Sequence, residues 1–236
     1  MYHIWHYPLK SMANNTLRLA DLGSALPLSE GGAQLSSVSD PIYQALREAI
    51  LSVDLPPDMH LTETFIARRF GVSVTPVREA LQRLVHAGLA VRQTAKGVKV
   101  RRLTEREVKD IYELRVKLEP MALRQSIPNL TGADLKPIER ILSQAKRAIE
   151  QGDLKNVSRL NSHFHSQLLM RADNKLLLAW LDTLADWRRL IAMQEWSAED
   201  RSRQEWEEHR AIFEAVRAKD VAGSETLLVR HISHFL

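Results

Sequence analysis

The chain has 236 residues, of which 44% are hydrophobic, so a sizeable buried core is expected and a globally disordered chain is not. The absence of cysteine excludes disulfides, thiolate metal sites and cysteine nucleophiles, and suits a reducing compartment. The apolar stretches are far shorter than the roughly 20 residues that span a bilayer, and the N-terminus lacks signal-peptide features, so we predict a cytoplasmic protein with no membrane segment.

The net charge of +4 comes from one segment of the chain. Residues 38–103 carry ten Lys and Arg against six Asp and Glu, whereas residues 1–37 and 104–236 are each balanced. Such an asymmetry indicates an anionic partner for the basic segment, with nucleic acid first. A small basic helical domain with solvated charges has the same balance, so charge alone leaves both interpretations open.

The first 37 residues are predicted to form a disordered tail. They show no sustained helical or strand period, and glycine, serine and asparagine are frequent. Such a segment buries too little apolar surface to offset the entropy of folding.

The basic segment is predicted to form three short helices followed by a β-hairpin. After Pro41, which suits a first helical position, apolar residues recur every three or four positions. Gly71 and Gly88 are expected to end the next two helices. The strands of the hairpin are predicted at 89–93 and 98–102.

The second and third helices are joined by a tight glycine-containing turn, the arrangement of a helix-turn-helix whose second helix enters the DNA major groove. The stretch from Ser73 to Leu84 has apolar residues on one face and hydrogen-bond donors near its start. Basic residues before the turn and on the hairpin can lie along the phosphate backbone or reach the minor groove. From these patterns, the residues expected to contact DNA are Arg68, Ser73, Thr75, Arg78, Arg83 and Lys96.

The same module contains the dense run Gly-Val-Ser-Val-Thr-Pro-Val-Arg-Glu-Ala-Leu, which begins at Gly71. This run and its flanks, from Leu61 to Leu89, resemble the GntR family of bacterial regulators. The resemblance implies a winged helix-turn-helix that binds palindromic operators as a homodimer. It also implies DNA contacts from Ser73, Thr75 and Arg78, and a wing tip at Gly97.

Val74 departs from that family, many members of which have Arg at this position. The change removes a potential base contact and leaves operator preference open. An apolar side chain at this position can instead touch a thymine methyl group.

Residues 104–236 are predicted to be helical almost throughout. Successive helices with short loops pack antiparallel, so the predicted fold is mainly α, an N-terminal winged helix-turn-helix followed by an all-α antiparallel bundle. The helical periods cover about 104–126, 133–151, 153–172, 174–196, 200–219 and 221–235.

Histidines recur inside this helical pattern. His165 lies four residues after Asn161, so both share one helix face, while His209 and His231 lie on two later helices. Three imidazoles and one amide can converge inside a bundle and suit a divalent transition metal such as zinc, nickel, iron or manganese. Spacing alone also permits a packing or capping role for each histidine.

The stretch Tyr-Glu-Leu-Arg-Val-Lys-Leu-Glu, beginning at Tyr112, and the three later histidine motifs resemble the FCD ligand-binding domain of the FadR subfamily. The resemblance covers residues 104–236. It implies a metal site made of Asn161, His165, His209 and His231. Asn161 stands where Asp is usual, which removes a negative charge and should weaken the site and change its selectivity.

Arg115 lies among apolar neighbours on the first predicted helix of the bundle. It can extend past the core or pair with a glutamate. Alternatively, its guanidinium can hold a ligand carboxylate through two parallel hydrogen bonds. FCD proteins usually have Arg here and many sense organic acids, so the resemblance favours a small carboxylate effector at Arg115.

These features together predict a sequence-specific DNA-binding repressor whose operator affinity is controlled by an organic acid in a metal-containing helical domain. A metalloenzyme is the main alternative, but the chain has no His-Glu-x-x-His helix, Gly-rich phosphate loop or nucleophile elbow. A nonspecific architectural DNA binder is the second alternative. It leaves the large neutral helical domain unexplained.

Overall fold

The structure is a computed structural model that describes residues 38–94, 97–195 and 199–234. The tail predicted at 1–37 lies outside the described residues. The chain divides into two compact units, the first ending at Arg102 and the second beginning at Leu103. Among the described residues, no helix is both long enough and apolar enough to cross a membrane.

The described part of the first unit contains three helices and a small antiparallel sheet, as predicted. Its elements in chain order are α1 (Ser39–Leu51), β1 (His60–Leu61), α2 (Glu63–Phe70), α3 (Val74–His86), β2 (Ala90–Gln93) and β3 (Gly97–Val100). The strand order in the sheet is β1-β3-β2. The strand β1 is an addition to the predicted hairpin, because two residues are too few to show a sequence period.

The turn between α2 and α3 depends on Gly71. Its φ of 65° is left-handed, a conformation that glycine adopts without the steric cost that a Cβ brings. The turn lets the apolar face of α3 pack against α1. Leu46 of α1 and Leu84 of α3 are both fully buried there.

The second unit is an all-helical bundle, which confirms the predicted fold class. The described helices of this unit are α4 (Glu105–Asn129), α5 (Gly132–Glu150), α6 (Leu154–Leu169), α7 (Lys175–Glu195), α8 (Glu199–Arg217) and α9 (Val221–Ser233). The central helix is α6, which packs against α4, α5 and α7, while α9 packs against α4 and α8.

The helix α4 continues past its predicted end. The sequence predicted a break near Pro128 because proline removes a backbone donor, yet α4 runs to Asn129. The buried Ile127 anchors this last turn in the core. Lys219 donates to the carbonyls of Ile127 and Leu130, 2.5 Å from each, and so satisfies acceptors at the end of the helix.

We expect Leu84→Ala to lower the free energy of unfolding of the first unit by about 2–5 kcal/mol, because it leaves a cavity between α1 and α3. Chemical denaturation of the full chain, followed by circular dichroism, measures the change. The control is Glu79→Ala at an exposed position of the same helix, expected to change stability by less than about 0.5 kcal/mol. Equal effects of the two substitutions would contradict this packing.

Candidate functional site

The exposed face of α3 carries the residues that the sequence predicted for DNA binding. Ser73 precedes the helix in an extended conformation, and Thr75 and Arg78 are exposed on its first turns. Thr75, Arg78 and Arg83 line one surface groove. The structure therefore brings three of the predicted DNA contacts together on one side of α3.

Two of the arginines on α3 also bind neighbouring helices. Arg78 donates from Nη2 to Glu63 Oε2 of α2 at 2.9 Å, and this carboxylate raises the pKa of Arg78. Arg83 donates to Asp40 of α1 and lies 4.2 Å from the ring centre of Tyr43. Exposed pairs of this kind contribute little stability, so a phosphate can compete with either carboxylate.

The other predicted DNA contacts are dispersed over the module. Arg68 is exposed on α2, and Gly97 begins β3 with a left-handed φ of 80°. Val74 is half-buried in the first turn of α3. Lys96 lies outside the described residues.

Sequence reasoning missed two polar residues of the same groove, Gln82 and His86, while Arg92, one of the basic hairpin residues, also lines it. Arg92 donates from Nη2 to Gln82 Oε1 at 2.6 Å, which joins the wing to α3. Gln82 and His86 follow Arg78 at four-residue intervals, and this spacing indicates from the sequence that they share a helix face with Arg78.

The three predicted metal-binding histidines meet inside the bundle. His165 of α6, His209 of α8 and His231 of α9 are buried, and one ring nitrogen from each lies within 4.8 Å of the others. The Nε2 atoms of His209 and His231 are 3.1 Å apart. Asn161, one turn before His165, is also buried, and its Oδ1 has no hydrogen-bond partner among the described residues.

Two carboxylates orient two of these imidazoles. Glu119 Oε2 lies 2.7 Å from Nδ1 of His165, and Glu208 Oε2 lies 2.6 Å from Nδ1 of His231. Each Nδ1 therefore donates its proton, which leaves Nε2 as the acceptor nitrogen of each ring; that of His231 faces Nε2 of His209. The buried Nε2 of His165 has no hydrogen-bond partner among the described residues.

Burial keeps the three imidazoles neutral. It lowers the pKa of His165 to about 3, although Glu119 acts in the opposite direction. Burial lowers the pKa of His209 well below its ordinary value, and the pKa of His231 is also lowered, chiefly by burial. Neutral imidazole is the form that binds metal ions, so at neutral pH the three side chains are in a ligating state.

A buried ion network adjoins the histidines. Arg115 donates from Nε to Glu119 Oε1 at 2.6 Å, and Nη1 of Arg188 lies 3.3 Å from the same oxygen. Burial would raise the pKa of Glu119, but Arg115, His165 and Arg188 together hold it well below its usual range. Arg188 also donates from Nη2 to the Ser162 carbonyl at 2.8 Å, while its Nε has no partner among the described residues.

Glu119 and Arg188 were not predicted as site residues. Glu119 lies four positions after Arg115 on α4, and that spacing indicates from the sequence that the two side chains can pair on one helix face. Arg188 shows no such signal, because 69 residues separate it from Glu119.

Two arginines and one of the histidines line one small cavity. Its lining includes Tyr112, Arg115, Arg188, Asn161 and His231. Arg115, predicted to hold an effector, therefore lies at the same cavity as two of the predicted metal ligands.

Comparisons with known proteins agree with these two units. Residues 38–100 match the family described as bacterial regulatory proteins, gntR family, and residues 110–234 match the FCD domain. The second match alone covers more than half of the chain.

Three known regulators are similar to this chain over most of their length. The chain is 29% identical over 193 residues to the HTH-type transcriptional regulator YdhC of Bacillus subtilis, covering 81% of this chain and 86% of YdhC. It is 28% identical over 198 residues to the HTH-type transcriptional repressor RspR of Escherichia coli, covering 83% of this chain and 86% of RspR. The solved structure of E. coli McbR/YncC superposes with a TM-score of 0.75 at 26% identity, covering 85% of this chain and 95% of that one.

We expect the metal-free protein to lose stability as the pH falls from about 7 to 5. The unfolded chain takes up protons at its histidines below a pH of about 6.5, whereas the folded chain holds the three buried imidazoles neutral. The unfolded state then binds more protons, so the free energy of unfolding decreases with decreasing pH. Urea denaturation after dialysis against a chelator measures this, and a flat profile across that interval would contradict the neutral cluster.

Proposed function

Because the chain belongs to the GntR family of bacterial transcriptional regulators, which are DNA-binding proteins and not enzymes, we propose that it is a cytoplasmic repressor controlled by a small organic acid. The acid would bind in the helical FCD domain, next to a metal ion. The observation that carries this proposal is the buried cavity at which Arg115, Arg188, Asn161 and His231 meet.

Operator binding is assigned to the exposed face of α3. Thr75 and Arg78 offer donors to base edges and phosphates, and the wing beginning at Gly97 would follow the backbone. Two copies of the chain would present two α3 helices to the half-sites of one palindrome. Repression is the direction supported by the relative RspR, which is named a repressor.

The metal ion would be held by Nε2 of His165, the ring nitrogens of His209 and His231, and Oδ1 of Asn161. Two buried atoms that have no hydrogen-bond partner in the described part of the chain, Nε2 of His165 and Oδ1 of Asn161, fit such a role. All four ligands are neutral, so the nearby carboxylates of Glu119 and Glu208 supply the negative charge around the ion. When bound, the ion would act as a Lewis acid towards an oxygen of the effector.

Arg115 and Arg188 would supply the remaining attraction for a carboxylate. Both are buried and charged, since burial lowers the pKa of Arg188 only to about 10. Both lie against the carboxylate of Glu119, and Glu205 also lines the cavity, so an incoming carboxylate would compete with these two groups for the guanidiniums. An acid bound here alters operator affinity only if it binds the two arrangements of the dimer unequally.

We expect Arg78→Ala and Thr75→Ala to weaken binding to DNA flanking the protein's own gene by about 1–3 kcal/mol each, because each removes a groove or phosphate contact. Removal of a phosphate contact also lowers the slope of log affinity against log salt by about 0.9. Fluorescence anisotropy across a salt series measures both effects.

The matched control is Arg140→Ala, which removes one exposed positive charge from α5 of the helical unit. Its operator affinity should equal that of the unmodified protein. Equal losses for Arg78→Ala and Arg140→Ala would mean that binding is nonspecific attraction to a basic protein.

We expect His209→Ala to lower the affinity for Zn²⁺, Ni²⁺ or Mn²⁺ by at least about 10–100-fold, because one of three imidazole ligands is lost. Isothermal titration calorimetry of the chelator-treated protein measures this. His163→Ala is the control, since His163 lies on α6 but is exposed and should leave affinity unchanged. A metal affinity unaffected by His209→Ala would exclude this site.

A further inference from the structure

A pocket of about 310 Å³ lies between α6 and α7 and reaches Glu119 of α4. The cavity at Arg115 has a volume of only about 10 Å³, which is room for about one water molecule, so the body of an organic acid does not fit there. A volume of about 300 Å³ is large enough for a small molecule. Arg188 lines both spaces, and the larger one is called the α6–α7 pocket below.

The inner end of the α6–α7 pocket is formed by Glu119 and Arg188, which are both buried. The closest partners of Glu119 are Nε of Arg115, 2.6 Å away, and Nδ1 of His165, 2.7 Å away. Nη1 of Arg188 is farther from this carboxylate, at 3.3 Å. Nε of Arg188 is buried and has no hydrogen-bond partner among the described residues. A ligand carboxylate can therefore accept from Arg188 while Glu119 keeps its two closer partners.

The walls between this inner end and the surface are largely apolar. Leu169 and Leu181 are buried, and Met170 and Leu178 are half-buried. Ser166 also lines the pocket, but its hydroxyl already donates to a backbone carbonyl of its own helix at 3.1 Å. Walls of this kind favour methylene groups, because a buried hydroxyl without a hydrogen-bond partner is costly.

The outer end of the pocket carries a negative charge. Asp182 lines the pocket and is exposed, and its carboxylate forms no ion pair within the part of the chain that the structure describes. It precedes Arg188 by six residues on α7, which is about 9 Å along the helix axis. The α6–α7 pocket thus has a cationic donor at its inner end and a carboxylate at its outer end, with hydrocarbon between them.

We propose that the α6–α7 pocket binds an acid that has a carboxylate at one end, a chain of methylene groups, and an ammonium group at the other end. The carboxylate lies at Arg188, the methylene groups lie along the leucines, and the ammonium group lies at Asp182. This inference rests on the proposed function, because the acid is the effector of the same regulator. A second carboxylate in place of the ammonium group would be repelled by Asp182.

Four six-carbon acids test this assignment, because they differ only in the position and sign of a second charge. The ammonium group of 6-aminohexanoate is at the far end and that of 2-aminohexanoate is next to the carboxylate, whereas hexanoate has no second charge and adipate has a second carboxylate. In calorimetry of the full chain at low ionic strength, 6-aminohexanoate should bind up to about fivefold more tightly than hexanoate, the range of an exposed ion pair. The other two acids should bind more weakly than hexanoate.

Variants at the two ends of α7 nearest the surface test the charge and the volume of the pocket. Asp182→Asn should abolish the advantage of 6-aminohexanoate over hexanoate and should strengthen adipate. Asp110→Asn is the control, because Asp110 is exposed on α4 and does not line the pocket. Leu178→Trp fills the pocket and should weaken every acid at least about tenfold. Its control is Leu176→Trp, the same change at an exposed position of α7 outside the pocket.

Binding and regulation are measured separately, so that the inference and the function on which it rests can fail independently. Acids whose affinities neither Asp182→Asn nor Leu178→Trp alters would overturn the α6–α7 pocket as their site while leaving an acid-binding regulator. A preference for 2-aminohexanoate would place both charges at the inner end and overturn the role of Asp182. If none of the four acids binds, the assignment of the pocket is wrong.

Fluorescence anisotropy with DNA flanking the protein's own gene completes the test. The predicted preferences, accompanied by a change in DNA affinity that Leu178→Trp abolishes, would support the inference and the proposed function together. The same preferences with no change in DNA affinity would support the pocket as a binding site and overturn control by an acid.

Discussion

The packing of the helical unit depends on the ion pairs of one buried carboxylate, that of Glu119. It is buried on α4 and binds Arg115 of the same helix, His165 of α6 and Arg188 of α7. A buried charge without partners would cost several kcal/mol, so removing any one of these groups leaves another uncompensated. The network therefore fixes how three helices pack and which nitrogen of His165 carries the proton.

The same network joins the two chemical halves of the candidate site. One oxygen of Glu119 accepts from the arginines, and the other accepts from His165. A ligand carboxylate at Arg115 would share that guanidinium with Glu119, and a metal ion at His165 would act on the same carboxylate through the imidazole. Effector and metal would thus be linked through one side chain.

The DNA-binding unit differs from the helical unit in that its ion pairs lie at the surface. Arg78 is exposed and Arg83 is half-buried, and the pairs that they form with Glu63 and Asp40 connect neighbouring helices without fully burying charge. Such pairs exchange partners readily, which suits residues that must hold α3 in position and still meet a phosphate. The buried pairs of the helical unit are better suited to a fixed binding site.

The sequence by itself determined the fold class, the helix-turn-helix and the histidine positions, because these depend on local periods and on turn residues such as Gly71. It also placed Asn161 and His165 on one helix face, since their four-residue spacing is a property of a single helix. Only the tertiary structure decided that Arg188 and Glu205 belong to the site. Those contacts join helices far apart in the chain, such as Arg188 with Glu119 across 69 residues and Glu205 with Asn161 across 44, and no local spacing encodes them.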